Sequence, residues 1–393
     1  MQPRLGWVWL SQTERQLAES AMLELQPDGA RDELGFGAIH FAYADRFFPG
    51  TSVLHTSVRY TMFVCWAYRE LLQRNPGSNF SPAELASIED RTGHKLMEAY
   101  GRQDGNGIIG GRVLRGGRSP VTRPSRIYWN ALKTWGMLSL DARTNKPPNQ
   151  GDVHRHWLDY SQSVKGLEVD AVAGTLAPLL DDIPEAPKGW SDGRLPLDFT
   201  LTLTERLRIR RAWTNTRGEI SLMARLANLK RRAPAHLYSR EIYDLCTPSE
   251  QGTLDRARQV GALVCIGRAL YTAMVSDMKT KADKNASRRI LDDVLSGYQK
   301  TALQLDISRL SQDMPKSEGL GKFLGLIQAW AADPGDYSQL IAPFRAREAD
   351  LKDDRALLLE SSASRRDLWS PGIPQPLTYR WDNVAHFLNE LAA

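Results

Sequence analysis

The strongest constraint on the fold is a succession of segments that carry helix-start chemistry and then place apolar residues three and four apart. Ser81-Pro82-Ala83-Glu84 joins an N-capping hydroxyl to a proline at the first helical position, and the helix it opens is expected to run to about residue 100. Ser11 with Glu14, and Thr202 with Glu205, have the spacing of the capping box, in which a hydroxyl and a carboxylate each accept the other's backbone N–H. Behind the first of these, Leu17, Ala18, Ala21 and Leu25 recur at helical spacing. Over 56–74, Val58, Met62, Phe63, Cys65, Trp66, Tyr68 and Leu72 cover most of a helix's circumference. A helix that apolar is expected to be the buried centre of its module. Further helices are expected at 203–213, 219–230, 249–282, 286–312, 318–331 and 381–391. Strand candidates are few, one at 137–140 and one near the N-terminus, and no fixed-period repeat occurs. The class is mainly α and multi-helical, with few short strands.

At roughly 100–200 residues per domain, 393 residues divide into several parts. Composition suggests an N-terminal helical module at 1–80, a basic module at 81–145, a polar Pro/Gly-rich connector at 146–200, and a C-terminal α-helical domain at 201–393. With 42% hydrophobic and 25% charged residues, long disorder is excluded. No apolar run approaches the roughly 20 residues of a membrane span, and 60–68 is among the longest. The N-terminus lacks a continuous apolar stretch after its basic start, so no secretory signal is read there and a cytoplasmic, non-membrane protein is expected. Cys65, Cys246 and Cys265 form neither a disulfide framework nor a zinc pattern.

Charge is distributed unevenly. Residues 105–140 hold Arg112, Arg115, Arg118, Arg123, Arg126 and Lys133 with no carboxylate. Residues 206–236 hold Arg206, Arg208, Arg210, Arg211, Arg217, Arg225, Lys230, Arg231 and Arg232 against Glu219 alone. These windows carry +6 and +8, so the remainder carries −9 against a total of +5. Clustered cations without interleaved acids are the footprint of a nucleic-acid face, because each phosphate contact releases condensed counterions. Two solvated surfaces, or arginines that meet acidic patches on the same chain or a partner, are the competing readings.

The helix at 125–135 sharpens the first window. Ile127, Tyr128, Ala131, Leu132 and Trp135 share one arc, while Arg126, Trp129, Asn130 and Lys133 share the opposite one. Two cations, an amide and an indole suit a recognition helix in a major groove, with Ser125 capping its start and able to contact phosphate. Gly136, Met137, Leu138 and Leu140 would begin the wing of a winged-helix-like segment. Pro120 and Pro124 leave little room for the usual preceding helix. The alternative is a surface helix with a partly exposed Trp129.

Catalytic signals are weaker. Seven glycines between 101 and 117 invite a phosphate-loop reading, but Gly111-Arg112 stands where that motif needs lysine and Ser/Thr, and no apolar strand precedes it. Asp152, His154 and His156 alternate, which in an extended segment would point three ligands to one side. A metal-dependent nuclease built on them is the alternative function, although the motif supplies too few ligands by itself. No cofactor is implied. Arg31, Asp32, Glu33, Asp45 and Arg59 are charges set in apolar surroundings, and Arg59, on the buried helix, is expected to pair with Asp32 or Asp45.

Gly6-Trp7, RDELGFG at 31–37, FFPGTS at 47–52, RYTMFVCW at 59–66, SRIYWNALKTWG at 125–136 and YRWDNVAHFLNEL at 379–391 together resemble a bacterial family of unknown function. The resemblance runs from residue 6 to 391 and implies a component of anti-phage defence islands, whose genes lie beside helicases and nucleases. It carries over no catalytic residue. The expected function is a nucleic-acid-binding accessory subunit that positions DNA for a partner helicase or nuclease. A protein-binding scaffold is a third possibility.

Overall fold

The computed structural model describes residues 34–74, 76–101, 105–141, 144–166, 179–214, 221–279, 284–314, 318–370 and 372–393. Helices dominate, and the extended pairings among these residues are two isolated bridges, Leu138 with Leu180 and Asp141 with Lys146. The expected strand at 137–140 is, among the described residues, a single bridge from Leu138 to Leu180. The Ser11/Glu14 helix, the N-terminal strand, Gly6-Trp7, Arg31, Asp32, Glu33 and Arg217 lie outside the described residues.

Chain contacts group the residues into two units, 1–46 with 237–379 and 47–236 with 380–393. These boundaries differ from those that composition suggests, because each unit draws on stretches far apart in sequence.

The unit containing 47–236 is built around the helix Tyr60–Arg74, buried over most of its surface as its composition requires. It packs against Pro82–Tyr100, Pro124–Thr134 and Trp157–Gly166. Ser81 caps the second of these helices, accepting the Glu84 N–H, with Pro82 at the first turn. Leu203–Thr214 starts on the expected capping box: Glu205 accepts the Thr202 N–H at 2.8 Å and Thr202 accepts the Glu205 N–H at 3.3 Å. That helix packs on Leu222–Asn228, which packs on Trp381–Ala392.

In the other unit the long helix Pro248–Asp277 forms the core, capped by a Thr247/Glu250 box. By length and composition it could cross a membrane, but 89% of its apolar window is buried inside the unit, as in a core helix. Lys284–Ala302 lies beside it, and Glu318–Ala332 and Ser338–Lys352 complete the helical set around it. Two buried carboxylates order the connections. Asp313 accepts from Tyr43 and Arg256, and Glu348 accepts the Leu357 and Leu358 N–H groups and the Tyr271 hydroxyl. The single helix expected at 286–312 breaks after Ala302. Gln328 takes up the Ala302 and Leu305 carbonyls that the break releases.

Candidate functional site

The first basic segment folds as a short helix, Gly111–Arg115, a turn, and the helix Pro124–Thr134. Pro120 presses on Gly110, and Leu114 lies against Gly93 of the Pro82–Tyr100 helix, so the segment is braced along that helix. Arg123 contributes to the bracing. Its guanidinium donates to Asp90 at 2.9 Å, to the Ala86 carbonyl at 3.1 Å, and to Ser119. Ser125 is 3% exposed, with its N–H donated to Glu89 Oε1 at 2.7 Å. Neither residue is offered to a ligand as the sequence suggests. Trp129 also departs from expectation: it is 7% exposed, and its Nε1 donates to the Pro148 carbonyl at 3.1 Å. A later loop, at Pro148, covers this part of the helix. Arg112, Arg118 and Arg126 are exposed, while Arg115, Asn130 and Lys133 are half-buried, Lys133 donating to Asn149 at 2.8 Å.

The second basic segment divides in the same way. Arg208, 8% exposed, donates to the carbonyls of Asp182, Gly136 and Asp181, and burial lowers its pKa. Arg210 donates to the Leu391 carbonyl at 2.6 Å, and Arg211 pairs with Asp182 at 2.7 Å. Arg206 and Arg225 are half-buried. Lys230, Arg231 and Arg232 are exposed. Both windows therefore mix cations that hold the unit together with cations that face solvent.

Beneath the first segment lies a buried polar chain. Glu89 caps the start of Pro124–Thr134 through the Ser125 N–H, and the Ser125 side chain interacts with both Glu89 and Tyr68. The Tyr68 hydroxyl accepts from Gln150 Nε2 at 2.9 Å and lies 2.7 Å from His154 Nε2. Phe80 stacks on the His154 ring at 3.7 Å, and Trp129 and Trp157 pack on Tyr68. Burial pushes the Glu89 carboxyl up to about 7, against the pull of Ser125 and Arg123. Burial also lowers His154 to about 4 and raises Tyr68. Sequence reading passed over Glu89, although it sits among Leu85, Ile88, Thr92 and Leu96 on the buried stripe of its helix. An acid on an apolar stripe was the available signal.

The expected metal ligands separate. Residues 150–155 are helical, and residues two apart on a helix point about 200° from each other. Asp152 pairs with Arg155, His156 lies 3.6 Å from Asp159, and His154 joins Tyr68. Among the described residues no three His, Cys, Asp or Glu side chains assemble as a metal-ligand set.

Segments 47–55, 125–136 and 379–391 meet in one aromatic joint. Trp135 Nε1 donates to the Pro49 carbonyl, Arg380 to the Thr51 carbonyl, and Asn383 to the His55 carbonyl. Phe48 packs on Trp381, and His55 stacks on Tyr128 with ring centroids 4.1 Å apart. His55 Nδ1 accepts the Ser52 N–H, so Nε2 carries the proton facing the Ile127 carbonyl, and burial drops the ring to about 3. A folded value below the ordinary 6.5 makes this contribution to stability complete above pH 6.5 and lost as pH falls toward about 3, by roughly 1.4 kcal/mol per unit. ¹⁵N spectra are expected to show His55 as the neutral Nε2–H form down to about pH 4; titration near 6.5 would contradict this placement.

These features define an all-helical protein with a buried Glu–Ser–Tyr–His chain under a segment rich in arginine. Residues 2–151 match the model of a family of unknown function, DUF6361. The match takes in Tyr68, Glu89, Gln150 and the whole first basic segment, stops short of His154, and leaves 379–391 outside. No curated protein and no solved structure matches the chain.

Proposed function

We propose that the chain is a nucleic-acid-binding protein that grips phosphates, of DNA in the first instance, through Arg112, Arg118 and Arg126 and through the run Lys230, Arg231 and Arg232. The observation that carries this reading is the exposure of Arg112, Arg118 and Arg126 on a segment, 105–140, without a single carboxylate. Arg123, Arg208 and Arg210 serve instead as internal ties, and Arg211 is held in a surface pair with Asp182. Arg126, Asn130 and Lys133 recur at four- and three-residue spacing and form the stripe that a groove-bound helix would offer; Trp129 is not part of it. On the resemblance described above, we extend the reading to an accessory subunit of a bacterial anti-phage defence system, with the catalytic step on a partner helicase or nuclease.

The test is DNA affinity as a function of salt. Each phosphate contact contributes a slope of about 0.9 in log Kd against log salt. Changing Arg112, Arg118 and Arg126 together to alanine is expected to weaken binding and flatten the slope by about 2 to 3. The triple change at Lys230, Arg231 and Arg232 should act in the same direction. Curves that coincide with the wild type in both variants would reject the reading.

A further inference from the structure

Glu89 is a buried acid beside Asp90 and Arg123 in an otherwise apolar setting. It is 6% exposed, and one oxygen, Oε1, is committed to the N-terminus of the Pro124–Thr134 helix. The other, Oε2, is buried without a hydrogen-bond partner among the described residues; the nearest cation, Arg123, stands 3.8 Å away and is turned toward Asp90. A buried carboxylate oxygen with no hydrogen bond and only a distant cation is costly when charged and far less so when it carries a proton. The groups that face Glu89 are Asp90 on its own helix, Arg123 and Ser125 at the start of the next, and Tyr60 and Tyr68 on the central helix, with His154 reached through Tyr68. One residue beyond Ser125 is the exposed Arg126.

We infer that Glu89 sets the affinity of the Arg112–Arg126 face for polyanions through its own protonation: ionised, it places a negative charge under the cations that would meet phosphate; protonated, it leaves their field intact. This rests on the nucleic-acid reading above and adds its regulation. By linkage, a polyanion on the face must also make Glu89 easier to protonate, by the same factor by which protonation tightens binding. A unit charge gained or lost near the face, in a medium of intermediate screening, changes affinity about fivefold. That change should fall around neutral pH, where burial has moved the carboxyl.

The experiment uses a labelled DNA duplex of about 30 base pairs at fixed ionic strength. Affinity is read from about pH 5.5 to about pH 8.5 for the wild type and Glu89→Gln. The wild type is expected to weaken about fivefold across neutrality, while Glu89→Gln, uncharged throughout, should lack that step. The same step in Glu89→Gln would overturn the inference and leave the nucleic-acid reading standing. Absence of DNA binding by the wild type at every pH would overturn both. Should Glu89→Gln fail to fold by circular dichroism, the ¹³C carboxyl titration of Glu89 in the wild type decides. A midpoint that rises when DNA is added supports the coupling, and one that stays fixed overturns it.

Discussion

Replacing Glu205 with alanine is expected to cost about 4 kcal/mol and to lower the urea midpoint accordingly. The carboxylate is 2% exposed and does two jobs. Its Oε1 accepts from Arg59 Nη2 at 3.1 Å, and its Oε2 closes the capping box of Leu203–Thr214. Arg59 is itself buried, donating also to Asp198 and lying over the Phe63 ring. Loss of Glu205 leaves a guanidinium in an apolar setting with only the half-exposed Asp198 as its counter-charge. The cost of breaking a buried pair comes mostly from the abandoned partner. The double change Arg59→Met with Glu205→Leu should therefore do less damage than Glu205→Ala alone. A double variant that loses the sum of both single effects would show that the two side chains act independently, with no coupling between them, and would overturn this account.

Gly50→Ala is the second large effect, expected to destabilise by about 3 kcal/mol. Gly50 has φ +81°, a region that disfavours side chains, and an added Cβ would lie 2.5 Å from Trp135 Nε1 and 2.9 Å from Thr134 Cβ. The indole cannot retreat without breaking its hydrogen bond to the adjoining Pro49 carbonyl. Gly117→Ala provides the control. It has a similar φ of +68° but nothing within 4 Å of the added carbon, so only the conformational cost of about 1 kcal/mol remains. Equal losses at the two positions would show that backbone strain alone, and not the approach of Trp135, makes glycine necessary at 50.

Sequence reading found what local chemistry determines. The caps at Ser81 and Thr202, the proline at the first turn, and the apolar circumference of the 60–74 helix each act within a few residues, and each element is present. Among the helices the sequence pattern does not announce, two are hidden for equally local reasons. Gly37–Phe47 begins among glycines that read as breaks, and Ser338–Lys352 carries Pro343 in its interior. The candidate site was legible only in part, because charge windows count cations without their distant acceptors. Arg208 meets Asp181 and Asp182, Arg210 meets Leu391, and Arg59 meets Asp198 and Glu205 instead of Asp45; Asp32 lies outside the described residues. Helical periodicity places Trp129 opposite the packed arc, yet Pro148 closes over it from a loop no periodicity announces. Asp152, His154 and His156 would converge only on an extended backbone, and the helix Gln150–Arg155 separates them.

The joint formed by Pro49, Thr51, His55, Trp135, Arg380 and Asn383 has a consequence for biosynthesis. A ribosome delivers 47–236 well before 380–393, and at about 5–20 residues per second the interval is on the order of ten seconds. Throughout that time Phe48 lacks Trp381 and His55 lacks Phe387, so the nascent polypeptide carries an uncovered aromatic surface. Translation speed and chaperone access over the intervening stretch thereby become determinants of how much functional protein a cell obtains.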